Sequence, residues 1–223
     1  MARMIGKTTG NGFQLRFDAA RLRALAKSYG PSGDDDALKA GGDIRAGNRT
    51  RTNVEAIFKW KTKGRGISRL RKNSDVEIAD ALNLAIAAKT ERSAISVLCG
   101  LRGVDVPVAS AILTAIDPER YTVIDFRALE ALGSGSKDRS VNFYLTYLDA
   151  CRQLAREHRV SLRDLDRALW QWSSEQASHQ QFAPDFCIKN TLFFQLDSSA
   201  AAHPYAPHGF LASCCANSAS RRP

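Results

Sequence analysis

Between Gly100 and Gly133 the chain reads GLRGVDVPVASAILTAIDPERYTVIDFRALEALG, and this stretch constrains the fold more than any other. Val108, Ala111, Ile112 and Ala115 recur at i, i+3, i+4 and i+7, which predicts a helix from about Val106 to Ile116. Within it, the small residues Ala109, Ser110 and Ala111 let another backbone approach closely. Leu101 to Asp105 reads as a tight hairpin that joins this helix to an apolar helix before it. Helical spacing recurs along the chain, with no internal repeat and no convincing β-hairpin, so the expected class is all-α.

Helix starts and stops punctuate the rest. Residues 1–16 read as poorly ordered or only loosely docked. Phe17 to Tyr29 reads as a helix capped by Asp18, with Leu22, Leu25 and Ala26 on one face and Gly30-Pro31 ending it. Ser32 to Asn48 shifts to Gly, Asp and small residues and reads as a loop or a short broken helix. Its Asp34, Asp35 and Asp36 are expected to be solvated or capping. Asn53 to Lys63 reads as a helix capped by Thr52 or Asn53, with Val54, Ile57 and Phe58 inward.

Ser74-Asp75-Val76-Glu77 has the form of a capping box and opens a helix to about Ala88. Thr90 caps another helix through Gly100, and Asp125 to Leu132 is a short helix closed by Gly133. After the connector Ser134 to Arg139, helices follow over Val141 to His158 and Leu162 to about Ser174. Their stripes, Tyr144, Tyr147, Leu148, Cys151 and Leu154, then Leu162, Leu165, Leu169 and Trp172, read as ordinary core. From His179 the periodicity disappears and the tail reads as mostly disordered, apart from an apolar patch at Thr191 to Leu196. The expected organisation is an N-terminal segment (1–50) with one helix and a Gly/Asp-rich loop, a helical core (51–178) and a tail (179–223).

Composition narrows the chemistry. No apolar run approaches the roughly 18 residues that span a bilayer, and MARMIGKTTGNG lacks the apolar region of a secretory signal. A soluble, cytoplasmic protein with no membrane partner is expected. Cys99, Cys151, Cys187, Cys214 and Cys215 are irregularly spaced, and no C-x-x-C pair or Cys/His cluster occurs. Neither a metal nor another cofactor is expected.

Net charge is +9 and unevenly placed. Residues 1–72 hold 17 Lys/Arg against 6 Asp/Glu, a net +11, while residues 73–223 hold 15 against 17, a net −2. The densest segment, KWKTKGRGISRLRK from Lys59 to Lys72, carries seven cations and no acid. Gly64 and Gly66 break its helix and expose backbone N–H groups. Lys61, Lys63, Arg65 and Arg69 are therefore expected to contact phosphates. Trp60 reads either as a core anchor or as part of a pocket.

The turn Leu101-Arg102-Gly103-Val104-Asp105-Val106-Pro107 has the shape that points backbone N–H groups of a helix start at a phosphate. Asp105 stands where such hairpins carry a second glycine, and it can cap the helix that follows. With Val123-Ile124-Asp125 downstream, the chain resembles the helix–hairpin–helix DNA glycosylase superfamily, which includes endonuclease III, the adenine glycosylase and the oxoguanine glycosylases. The resemblance spans about residues 55–175 and is specific over 100–127.

It implies two helical lobes around a cleft, with Arg102, Gly103, Val104, Asp105 and Val106 on a phosphate and Asp125 facing a flipped nucleotide. Members that cleave the strand place a lysine eighteen residues before the aspartate, where this chain has Pro107. The resemblance thus implies a monofunctional glycosylase, without lyase chemistry at that position. It also implies a wedge within Lys61 to Arg69, and Tyr121 and Arg127 as pocket or phosphate contacts. Arg127 stands where many relatives have His, and Glu130 where they have Arg.

The expected substrate is double-stranded DNA with a damaged or modified base, acted on by a monomer in base-excision repair or in defence against phage DNA. The alternative is a helix–hairpin–helix protein that binds DNA without catalysis.

Overall fold

The computed structural model describes residues 12–30 and 34–181. Ten α-helices occur among them, after a 3-10 turn at Ala19–Arg21 that Asp18 caps through Ala20 N at 2.9 Å. They are α1 Leu22–Ser28, α2 Asp35–Arg45, α3 Arg51–Thr62, α4 Ile67–Leu70, α5 Asp75–Ala87, α6 Glu91–Cys99, α7 Val106–Ile116, α8 Phe126–Ala131, α9 Val141–His158 and α10 Leu162–Gln181. No strand occurs among the described residues, so the all-α expectation holds for them. None of these helices is long and apolar enough to cross a membrane.

The packing is organised around α7. Every residue of this helix except Pro107 is buried, on all faces, as a helix apolar all round must be. Helices α2, α3 and α6 lie against it, while α10 packs on α1, α8 and α9. The small-residue stretch has a consequence visible at Gly41. A Cβ there would lie 2.0 Å from Ala115 O, so α2 and α7 cross with their backbones in direct contact.

That crossing corrects the reading of residues 32–48 as a loop or broken helix. Gly41 and Gly42 lie inside the regular helix α2, although glycine costs about 1 kcal/mol relative to alanine at such positions. Burial of Ala37, Ala40 and Ile44 offsets that cost. Residues 12–16 are also better fixed than expected. Phe13 is buried among Phe143 and Tyr147, and Gln14 N and Arg16 N donate to Leu132 O and Ala131 O at the end of α8. Those carbonyls have no partner within the short helix, and the incoming strand of chain satisfies them.

Capping signals place most of the remaining boundaries. Ser74 and Glu77 form the capping box, and Thr90, Asp105, Asp125 and Ser140 each accept a backbone N–H of the helix that follows. Helix α3 begins two residues before the expected position, after Thr50, which makes no side-chain cap. Helix α10 runs past Ser174 to Gln181. The apolar patch at 191–196, the tail calls and Cys187, Cys214 and Cys215 lie outside the described residues.

Candidate functional site

Asp125 stands at the end of an extended segment, Tyr121–Asp125, sandwiched between α7 and α9. Three successive carbonyls of this segment are held by side chains. Tyr144 OH donates to Thr122 O at 3.2 Å, Tyr147 OH to Val123 O at 2.8 Å, and Lys61 Nζ to Ile124 O at 3.1 Å. Ile124 N in turn donates to Ser110 Oγ at 3.2 Å. Extended backbone in a core must find such partners, because no neighbouring strand supplies them. The two tyrosines belong to the core, as expected, and their hydroxyls also clamp the segment that carries Asp125.

The Asp125 carboxylate is held from two sides. Oδ1 accepts Ala128 N at 2.8 Å, capping α8, while Oδ2 lies 3.4 Å from Lys61 Nζ. Both side chains are largely withdrawn from solvent, with 22% of Asp125 and 12% of Lys61 exposed. The cap and the lysine contact coexist, because each oxygen has its own partner.

Opposite Asp125 lies one face of α10. Arg163, Asp166, Arg167 and Trp170 follow at i, i+3, i+4 and i+7 and share a cavity wall with Tyr29, Trp60, Lys61, Lys63, Val123 and Asp125. The cavity measures about 200 Å³, room for a small planar ligand rather than a drug-sized one. Its aromatic lining is braced by cations. Arg163 lies 5.4 Å from the Trp60 ring centre and 5.9 Å from that of Tyr29, and Arg127 lies 5.1 Å from that of Trp170. Tyr29 meets Trp170 edge-on at 5.3 Å.

Behind this wall is a buried ion cluster. Arg163 bridges Asp34 and Asp166, and Arg167 Nη2 donates to Asp34 Oδ1 at 3.0 Å. Asp34 is 2% exposed, which corrects its reading as a solvated or capping residue. It occupies the N-cap position of α2 but makes no cap bond, since the arginines take its oxygens. Burial alone would raise its pKa, yet the hydrogen bonds and charges of Arg167 and Arg163 hold the carboxyl below the usual range.

Asp166 goes the other way. Burial pushes its carboxyl up to about 6, Asp125 and Asp34 add to the shift, and Arg163 and Lys61 oppose it. The Arg163 guanidinium is held charged, while its partner is pushed toward the neutral acid. Both directions follow from burial of an ion pair beside two further carboxylates.

The remaining expected residues fall into two groups. Lys63, Arg65, Arg69 and Arg102 are exposed, and the basic segment adjoins the hairpin. A Cβ at Gly103, whose φ is +82°, would lie 2.8 Å from Arg69 Cβ and 2.9 Å from Leu70 N. Asn73 ties the same junction: its side chain accepts Arg102 N at 2.8 Å and donates to Arg102 O at 3.0 Å. Asp105 turns its carboxylate back onto Val108 N at 3.0 Å, and Val104 and Val106 are buried in the core.

Trp60 lines the cavity and also packs against the core, joining its two readings. Tyr121 is buried beneath Arg120 and is not on the cavity wall. Arg127 supports Trp170 rather than entering the cavity, and Nη1 lies 3.4 Å from Ser173 Oγ, which bonds Glu130 at 2.5 Å.

The α10 face, Tyr29, Asp34 and the Lys61–Asp125 pairing were not anticipated as a site. The signal for α10 was available, because its charged residues recur at helical spacing beside the apolar stripe. Among the described residues no group of three or more His, Cys, Asp or Glu is placed to hold a metal. Cys99 and Cys151 are free thiols, with burial, then the charge of Asp105, pushing Cys99 up to about 11. No protein-family model matches the chain, and neither the curated proteins nor the solved structures gave a match.

Proposed function

We propose that this protein is a DNA glycosylase of the helix–hairpin–helix kind, hydrolysing the bond between deoxyribose and a base flipped out of double-stranded DNA. The observation that carries the reading is Asp125, a carboxylate fixed at a helix start on the wall of a small aromatic and cationic cavity. On this reading the helices form two lobes with the cavity in the cleft between them. Leu101 to Val106 is the phosphate-gripping hairpin, with Arg69 and Arg102 beside it.

The chemistry follows from charge development. As the C1′–N bond breaks, its electron pair leaves with the base and positive charge grows on the sugar. The Asp125 carboxylate stabilises that charge and orients the water that adds to C1′, delivering a hydroxyl and releasing a proton. The base must leave the helical stack first. Tyr29, Trp60 and Trp170 offer it apolar faces, and Asp166 and Arg167 offer polar edges. Lys63, Arg65 and Arg69 lie on the exposed surface where the strand would pass.

The target is either a damaged base, as in base-excision repair, or a modified base of phage DNA. Incubation with damaged-base oligonucleotides and with modified phage DNA should release free base and leave alkali-labile abasic sites. Release has to fall in Asp125→Asn; release undiminished by that change would sink the reading. A second reading, a DNA-binding protein without catalysis, draws on the two structural partners of Asp125, a cap and an ion pair, which a purely structural aspartate would also have. It predicts salt-dependent duplex binding with no abasic product from any substrate.

A further inference from the structure

Among the described residues only two non-glycine side chains stand on a left-handed backbone, Lys63 at φ +55° and Arg159 at φ +52°. They close α3 and α9, at helix ends where glycine is the unstrained choice. Both are cations, and each lines a cavity. A side chain kept against such strain points to a use for it.

Lys63 borders the cavity of Asp125. Arg159 borders a second cavity of about 620 Å³, whose wall carries Arg23, Lys27, Arg159 and Arg167 against the single acid Asp164. This wall is built from α1 and the turn between α9 and α10, with no residue of the hairpin or of the basic segment 59–72. Arg167 is engaged with Asp34, and its Nη1 lies 3.9 Å from Asp164 Oδ1. The other three cations are not neutralised. Arg23 donates to Arg159 O at 2.9 Å, and neither Lys27 nor Arg159 has an ion-pair partner among the described residues. Arg167 lines both cavities, so the second adjoins the first across one residue of α10.

Resting on the glycosylase reading, we propose that this second cavity is a phosphate site, holding the backbone of the DNA strand whose nucleotide enters the first. A strand repeats its charge at every nucleotide, so one anchored in the first cavity brings further phosphates to its neighbour. The wall offers charge and no aromatic face, so the contact is to backbone and blind to sequence. An acidic protein would meet the same charge but has no need of the junction with the aromatic cavity.

The test is the salt dependence of duplex binding by the full chain, followed by fluorescence anisotropy. Each phosphate contact removed lowers the slope of log K against log salt by about 0.9. Arg159→Gly and Lys27→Ala should each lower it by about that much, and the double variant by about twice as much. Lys39→Ala, exposed on α2 and on neither wall, should leave it unchanged. Glycine at 159 keeps the carbonyl that Arg23 binds and relieves the backbone, so Arg159→Gly should bind less while its melting temperature holds or rises.

An arginine kept only for structure would give the reverse, an unchanged slope and earlier melting, and that result overturns the proposal. Should Arg159→Gly melt early with a reduced slope, Lys27→Ala decides, and its slope equal to wild type overturns the proposal. Calorimetric titration with inorganic phosphate distinguishes a small-anion site: saturable uptake lost in Arg159→Gly, with the DNA slope unchanged, also overturns it. Base release by the wild-type chain with unchanged slopes in the variants rejects the phosphate site while the glycosylase stands. Reduced slopes with no abasic product from any substrate reject the glycosylase and leave the site.

Discussion

Asp125 and Asp166 face one cavity with the same functional group, and the fold treats them in opposite ways. Asp125 begins a helix, where one oxygen accepts Ala128 N and the other lies beside the Lys61 ammonium. Asp166 sits inside α10, 6% exposed, with the Arg163 guanidinium as its hydrogen-bond partner and two carboxylates in its field. The first carboxylate is held by a helix start and one lysine. The second is pushed toward the neutral acid by burial, against the Arg163 guanidinium bonded to it. Asp166 is the group whose state changes with mild acid.

The largest way to break this contrast is to remove the arginine on which Asp166 depends. Arg163→Ala leaves Asp34 and Asp166 buried without their shared partner, which should cost about 3–5 kcal/mol and lower the melting temperature by roughly 6–20 °C. Asp125→Asn should behave in the reverse manner. Asparagine caps a helix about as well as aspartate, so the melting temperature should hold, while base release drops about a hundredfold or more. Calorimetry and a base-release assay on the two variants would show whether stability and activity separate as the two environments demand.

Acidity offers a finer probe. The folded chain holds the Asp166 proton up to about pH 6, whereas an unfolded aspartate releases it near its ordinary value of 3.8. Its contribution to stability is therefore complete below about pH 4 and is lost as pH rises to about 6. Asp166→Asn has no proton to lose. Its melting temperature relative to wild type should climb between pH 4 and pH 7, by the equivalent of about 1–3 kcal/mol. A constant difference across that range would mean that Asp166 is not raised. Smaller again is Tyr147→Phe, which leaves Val123 O without its donor and should cost about 1–2 kcal/mol, with a severalfold loss of base release.

Local signals in the sequence were legible because their partners are near in the chain. The capping box at Ser74 and Glu77, the caps Thr90, Asp105 and Asp125, and the stripe of α9 involve residues within a turn or two of each other. Asp34 was misread for the opposite reason. Nothing near it distinguishes a buried anion from a solvated one, and its arginines lie 129 and 133 residues later. Helix α2 was misread because glycine opposes helix locally, and only the crossing with Ala115 explains why Gly41 is there. The cavity was half visible. Trp60 and Asp125 could be singled out by type and pattern, but pairing Lys61 with Asp125 spans 64 residues and needs the packing of α3 against α7.

The clamped carbonyls of residues 122–124 bear on how any ligand of the cavity is met. A segment whose oxygens are gripped from α9 and α3 has little conformational entropy left to surrender on association. The penalty for assembling a complex then falls on the ligand and on the exposed lysine and arginine side chains around it. Tightening would register in the calorimeter as ordering of surface cations, not of the segment that bears Asp125.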